Sequence, residues 1–238
     1  MRQKCLNTDI YNIYIYNYMM NNKESFLDFE GNEFFKRNKK ALCSEEHIKD
    51  DILLKKISEK KLENLNILEI GCCQGWRLRL LQKMFPTCKY YGLDPSQQGI
   101  DEGNNYPNNT ISFSVGTCDD INIYENDKFD IVMVPFVFMY IDRGLLLKSV
   151  SEIDRVLKNN GKLIITDFYS NRQRKNPYKY IENTFIYKQN WFEIFQSSKN
   201  YFLESIEVYS HNTINGNDGY DNTCFYVEMK KDLINLFN

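Results

Sequence analysis

Glu69, Gly71 and Gly75 stand on the turn LEIGCCQGW, and Asp94 closes the next apolar run, KYYGLD. A carboxylate at the mouth of a glycine turn repels phosphate and suits a ligand that carries an ammonium or sulfonium group. The glycines let backbone approach that ligand closely, with Cys72 lining the same turn. Asp94, at a strand end, has acceptor oxygens for both hydroxyls of a ribose. Thr117, Cys118 and Asp119 in GTCDDI follow a third strand pattern and are suited to hydrogen bonds around an adenine. The three strand ends together imply an adenosine-type ligand. The ExGxxxG spacing disfavours the pyrophosphate that GxGxxG admits. Cys73 fills the middle position and is expected there at little cost if its backbone stays in the ordinary allowed region.

These residues need strand ends to carry them. ILEI (Ile67 to Ile70), KYYGLD (Lys89 to Asp94), TISFSVG (Thr110 to Gly116), DIVMV (Asp130 to Val134) and KLIITDF (Lys162 to Phe168) are β-rich runs. Helical patterns over Gly75 to Phe85, after Pro95 and over Arg143 to Leu157 separate them. That alternation predicts an α/β fold, a doubly wound, mostly parallel sheet with helices on both faces and its ligand beyond the carboxyl ends of the strands. YFLESIEVYS and TCFYVEMK, joined by a link rich in Gly and Asn, predict an antiparallel C-terminal hairpin. Residues 1–24 are expected to be a leader without the features of a targeting peptide, 25–64 a helical cap, and 65–238 the main domain, with an insertion at about 170–198 acting as a lid.

Thirty basic against 32 acidic residues leave a net charge of -2, so no global field draws the chain to nucleic acid or anionic lipid. Seven cysteines form no CxxC pair, which argues against structural zinc, and no metal is expected. The longest apolar run, Ile131 to Ile141, is too short to span a bilayer and contains Pro135. The expectation is a reduced, cytoplasmic protein with no nucleic-acid or membrane partner and with its oligomeric state left open.

From Leu65 to Phe168 the motifs LEIGCCQG, YYGLDPS, SVGTCDDI, KFDIVMVPFVFMYI and EIDRVLKNNGKLIITDF run in the order of the class I S-adenosylmethionine-dependent methyltransferases, which this chain resembles. The terminal hairpin resembles that family's reversed final strand. The resemblance implies a Rossmann-like domain with S-adenosyl-L-methionine as cofactor, Glu69, Gly71, Cys72 and Gly75 around its methionine part, and Asp94 with Pro95 at the ribose. It places Thr117, Cys118 and Asp119 at the adenine, with Val134 and Pro135 at the adjoining strand end. Thr117 stands where many relatives carry Asp. Within the family, the impression is of bacterial enzymes that modify surface polysaccharide or related small molecules.

Methyl transfer to an alcohol needs a general base, for which His211, Asp167 and Tyr140 are the candidates. His47 reads as a solvated helix residue. In the insertion, Arg172 and Arg174 suit a phosphate, while Tyr169 and Tyr178 suit stacking on a ring, so the acceptor is expected to be a small molecule of anionic character. Some amine methyltransferases carry an Asn or Asp followed by two prolines and an aromatic after strand four; this chain has VPFV, Val134 to Val137, which disfavours that class. Two alternatives stay open: a nicotinamide-dependent oxidoreductase, and a non-catalytic relative that binds cofactor or a partner.

Overall fold

The structure is a computed structural model, and it describes residues 21–210 and 223–233. A helical run opens it: α1 (Asn22–Ser25), a π-helical turn (Phe26–Glu30) and α2 (Gly31–Leu42), followed by α3 (Glu45–Asp50) and α4 (Ile52–Ser58). Local chemistry sets the starts of these helices. Asn21 accepts from the Glu24 N–H at 2.9 Å, Ser44 from His47 at 3.2 Å and Asp51 from Leu54 at 2.6 Å, each satisfying a first-turn donor. The expected leader, 1–24, therefore overlaps this run, because Asn22, Lys23 and Glu24 already belong to α1.

The sheet strands are β1 (Asn66–Ile70), β2 (Lys89–Asp94), β3 (Ser112–Val115), β4 (Phe129–Pro135) and β5 (Leu157–Phe168), with α5 (Trp76–Met84), α6 (Gln97–Asn104) and α7 (Leu146–Val156) between them. Next come β6 (Arg174–Pro177), β7 (Phe185–Lys188) and α8 (Phe192–Ser197), and the chain ends with β8 (Tyr201–Ser210) and β9 (Thr223–Lys231). Seven strands form one sheet in the order β3-β2-β1-β4-β5-β9-β8. β1 to β5 pair in parallel, while β9 runs antiparallel between β5 and β8, as the C-terminal pattern predicts.

Alternation along the strands builds both cores. Val132 and Val134 of β4 face one layer with Ile153 and Val156 of α7 and Trp191 and Phe195 at α8. Ile131 and Met133 face the other, with Leu53 and Ile57 of α4 and Leu78 and Leu81 of α5. A sheet buried on both faces explains why its strands read as continuous apolar runs. Element ends shift by a few residues from expectation. The helix expected from Arg143 begins at Leu146 because the Leu145 N–H turns back to Asp142 at 2.8 Å. The insertion holds a separate two-stranded hairpin, β6–β7, which its charge-rich sequence hides. Among the described residues no helix is long and apolar enough to cross a membrane.

Candidate cofactor and acceptor site

The turn after β1 is wound by three residues with left-handed backbone: Gly71 at φ 81°, Cys73 at 50° and Gly75 at 73°. A side chain on Gly71 would come within 2.5 Å of Val137 Cγ2, and one on Gly75 would strike the Phe113 ring. The glycines therefore admit the protein's own side chains against the turn, a packing role that spacing alone does not disclose. Cys73 departs from expectation. Its conformation is the one disfavoured for L residues, at a cost of about 1–2 kcal/mol. Its N–H, donated to Asp94 Oδ2 at 2.8 Å, helps hold it there.

Two carboxylates lie buried at the ends of adjacent strands. Glu69, opposite Gly92 in the β1–β2 register, is 1% exposed and ion-paired with Arg77 of α5. Arg77 in turn holds Asp51, the cap of α4, at 2.8 Å. Glu69 Oε2 has no hydrogen-bond partner. Burial pushes its carboxyl up to about 7, against the pull of Arg77. Asp94 accepts from Cys73 and from the Ser96 N–H, each at 2.8 Å, so each oxygen keeps a lone pair to offer. Burial raises it to about 6. Pro95 is half-buried beside it.

Beyond β3, the Thr117 hydroxyl donates to Asp119 at 2.8 Å, and Asp119 forms ion pairs with Lys23 of α1 at 2.7 Å and Lys148 at 3.6 Å. Burial works against its charge, but Lys23 and Thr117 hold its carboxyl below the ordinary range. The Cys118 side chain is buried in the core, and burial lifts its thiol to about 12. Val134 and Pro135 close β4, and the chain passes through Phe136 at φ 53° with its N–H on Thr166 O at 2.7 Å.

Asp167 is fully buried, and it accepts from the Met139 N–H at 3.2 Å and the Phe168 N–H at 2.7 Å. It thus ties the end of β5 to the turn that carries Tyr140, and burial pushes its carboxyl up to about 7. The Tyr140 ring packs 5.0 Å from Phe26 and 5.6 Å from Tyr178, and burial raises its hydroxyl well above the ordinary value. His211 lies outside the described residues. Tyr169 is half-buried, and Arg172 and Arg174 are exposed. Tyr178 is buried and donates to Glu30 at 2.6 Å, so its hydroxyl is engaged within the protein.

Sequence reasoning missed Lys23, Asp51 and Arg77, which hold or balance the carboxylates of the site. Asp51 alone leaves a local signal, an Asp directly before a helical pattern. The others act across long separations or carry a generic surface charge.

The fold and this arrangement of strand-end carboxylates define a class I methyltransferase architecture. Residues 68–165 match the family described as "Methyltransferase domain". A malonyl-[acyl-carrier protein] O-methyltransferase of Halalkalibacterium halodurans is 29% identical over 124 residues, 49% of this chain and 44% of that protein. The match thus spans less than half of the curated relative. Among solved structures, a SAM-dependent methyltransferase from Methanosarcina mazei superposes with a TM-score of 0.58 at 18% identity, covering 75% of this chain and 97% of that one. One from Aquifex aeolicus gives 0.57 at 19%, covering 83% and 98%. At these identities the structural likeness speaks for the fold. Residues 68–165 thus carry a methyltransferase domain, the fold around them is that of the class I enzymes, and S-adenosylmethionine is the cofactor of that class. The residues present fit it: Glu69 Oε2 is a buried acceptor without a partner, suited to an ammonium, and Asp94 has lone pairs for ribose hydroxyls.

Proposed function

We propose that the protein transfers a methyl group from S-adenosylmethionine to a hydroxyl or amine of a small acceptor, anionic and of the phosphorylated or sugar type. The observation that carries the cofactor half is the pair of buried carboxylates, Glu69 with an unpartnered oxygen and Asp94 beside it on the next strand. When bound, the cofactor supplies an electrophilic methyl on a good leaving group. The chain's share is alignment, exclusion of water and, for a hydroxyl acceptor, removal of a proton.

A carboxyl raised to about 7, as at Asp167, is suited to proton removal near neutral pH. Tyr140 and His211 remain candidates for the same role. The anionic acceptor is supported by Arg172 and Arg174, exposed guanidiniums that form no ion pair among the described residues. The H. halodurans relative, by its name, methylates a malonyl group on acyl carrier protein, which is also an anionic acceptor.

The test is calorimetry with S-adenosylmethionine and with S-adenosylhomocysteine, followed by methyl-labelled cofactor incubated with phosphorylated sugars, malonyl thioesters and neutral alcohols and amines. Binding, with label passing to an anionic acceptor, is expected. Failure to bind either cofactor form overturns the enzyme reading. Label passing only to neutral acceptors overturns the anionic one.

A further inference from the structure

We propose that residues 22–42 form a strap that must lift for the cofactor to enter and leave, and that Lys23 and Glu30 are the positioning residues that hold it shut. The proposal rests on the cofactor reading above. The strap runs past the ends of β2, β3 and β4 and is fastened beyond each. At the end of β3, the Lys23 ammonium meets Asp119 at 2.7 Å, and beyond β4 its backbone N–H meets Asp142 at 3.2 Å. Asn22 Nδ2 donates both to Tyr140 O at 2.9 Å and to Phe185 O of the hairpin at 2.8 Å.

At the end of β2 the strap's backbone lies directly on the loop. A side chain on Gly31 would come within 3.1 Å of the Ser96 nitrogen and 3.2 Å of the Pro95 carbonyl carbon, so the two backbones are closely packed, and it would strike the strap's own Phe26 O at 2.6 Å. Asn32 Oδ1 accepts from Ser96 Oγ at 2.9 Å and from the Gln98 N–H at 3.0 Å. Ser96 is itself bonded to Asp94, which leaves the strap two hydrogen bonds from the proposed ribose acceptor. On the far side Glu30 accepts from Tyr178 and is ion-paired with Arg37, whose guanidinium stacks 3.8 Å from the Tyr180 ring centroid.

The same contacts explain why the strap can open as a unit. Its buried residues are Asn22, Ser25, Glu30, Gly31 and Phe35, so that Phe35 is the one large apolar side chain among them, whereas Leu27 and Phe29 are exposed. Of its side chains only Leu42, at its end, packs on either large apolar cluster of the sheet. A segment held by polar clasps and a few rings, and separate from the main core, belongs to the low-stability end of local unfolding. Glu30 ends a π-helical turn, a rare feature that is frequent at functional sites. Opening then limits the release of product, a common rate-setting step.

The experiment measures release of S-adenosylhomocysteine from the full chain by stopped-flow tryptophan fluorescence, since Trp76 begins α5 directly after Gly75. It also measures amide hydrogen exchange over 22–42 with and without that ligand. In wild type the ligand is expected to raise protection of the strap. Lys23→Met and Tyr178→Phe, checked for native unfolding temperatures, should each speed release by about tenfold, the scale of one lost charge-assisted or buried hydrogen bond. Association should speed as well, so that affinity changes less than release. Bound ligand with unchanged release in both variants overturns the strap and leaves the cofactor site standing. Unchanged strap protection in wild type on binding does the same if a variant fails to fold. No binding by wild type overturns both readings.

Discussion

Arg77 closes an ion pair on Glu69, the carboxylate of the strand it follows, while its other nitrogens hold Asp51 at 2.8 and 3.3 Å. One guanidinium thus pins the helical cap to the floor of the proposed cofactor site. Its charge balances two buried acids, and those acids raise its own affinity for the proton despite burial.

Arg77→Met removes that cation and leaves Glu69 and Asp51 buried without it. Breaking a buried ion pair from one side costs about 3–5 kcal/mol. Urea unfolding at pH 7 is expected to show a loss of that order, smaller at pH 5 where Glu69 can protonate.

Asp94→Ala removes the acceptor proposed for the ribose, and cofactor affinity measured by calorimetry should fall by about 1–3 kcal/mol. The same change strips the N–H groups of Cys73 and Ser96 of their acceptor, so thermal stability should fall as well. Asp94→Asn, which keeps one acceptor oxygen, should lose less of both. Unchanged affinity in a folded Asp94→Ala protein rejects this ribose site.

Asp167 has a carboxyl pushed up to about 7 by burial, from 3.8. A carboxyl raised in the folded state favours folding below its unfolded value, and that contribution is lost as pH climbs through the folded one. Wild-type stability relative to Asp167→Asn should therefore decline between about pH 4 and pH 7. If Asp167 also takes the acceptor's proton, wild-type turnover rises through pH 7 and the Asn variant loses that limb. A fall in stability without a change in the rate profile would leave it as a structural acid.

Cys73, with φ at 50°, tests the backbone of the turn. Cys73→Gly removes the left-handed strain but adds freedom to the unfolded chain, so stability should barely change. Cys73→Val, similar in size but β-branched, should lose about 1–2 kcal/mol or more by thermal or urea unfolding. Equal stability of the two variants would show that the turn relaxes.

The succession of the main-sheet strands along the chain, the antiparallel C-terminal hairpin and the turn between β1 and α5 were legible in the sequence, because period, glycine and strand-end acids are local signals. Ile67, Leu68 and Ile70 declare a buried strand by type alone, and TCFYVEMK declares another. Which groups those elements bring together was decided by the tertiary structure. Glu69 reads as a carboxylate open to a ligand, yet one of its oxygens belongs to Arg77, and Asp51 joins them only because α4 packs beside α5. Asp119 reads as an adenine neighbour, but Lys23, far back in the chain, holds it. Tyr178 reads as a free ring, but its hydroxyl reaches Glu30 across the site. The left-handed backbone of Cys73 likewise follows from closing the turn on Asp94. Burial and ion pairing are sums over everything that surrounds a group, so residues distant in sequence set them, and no window along the chain contains them.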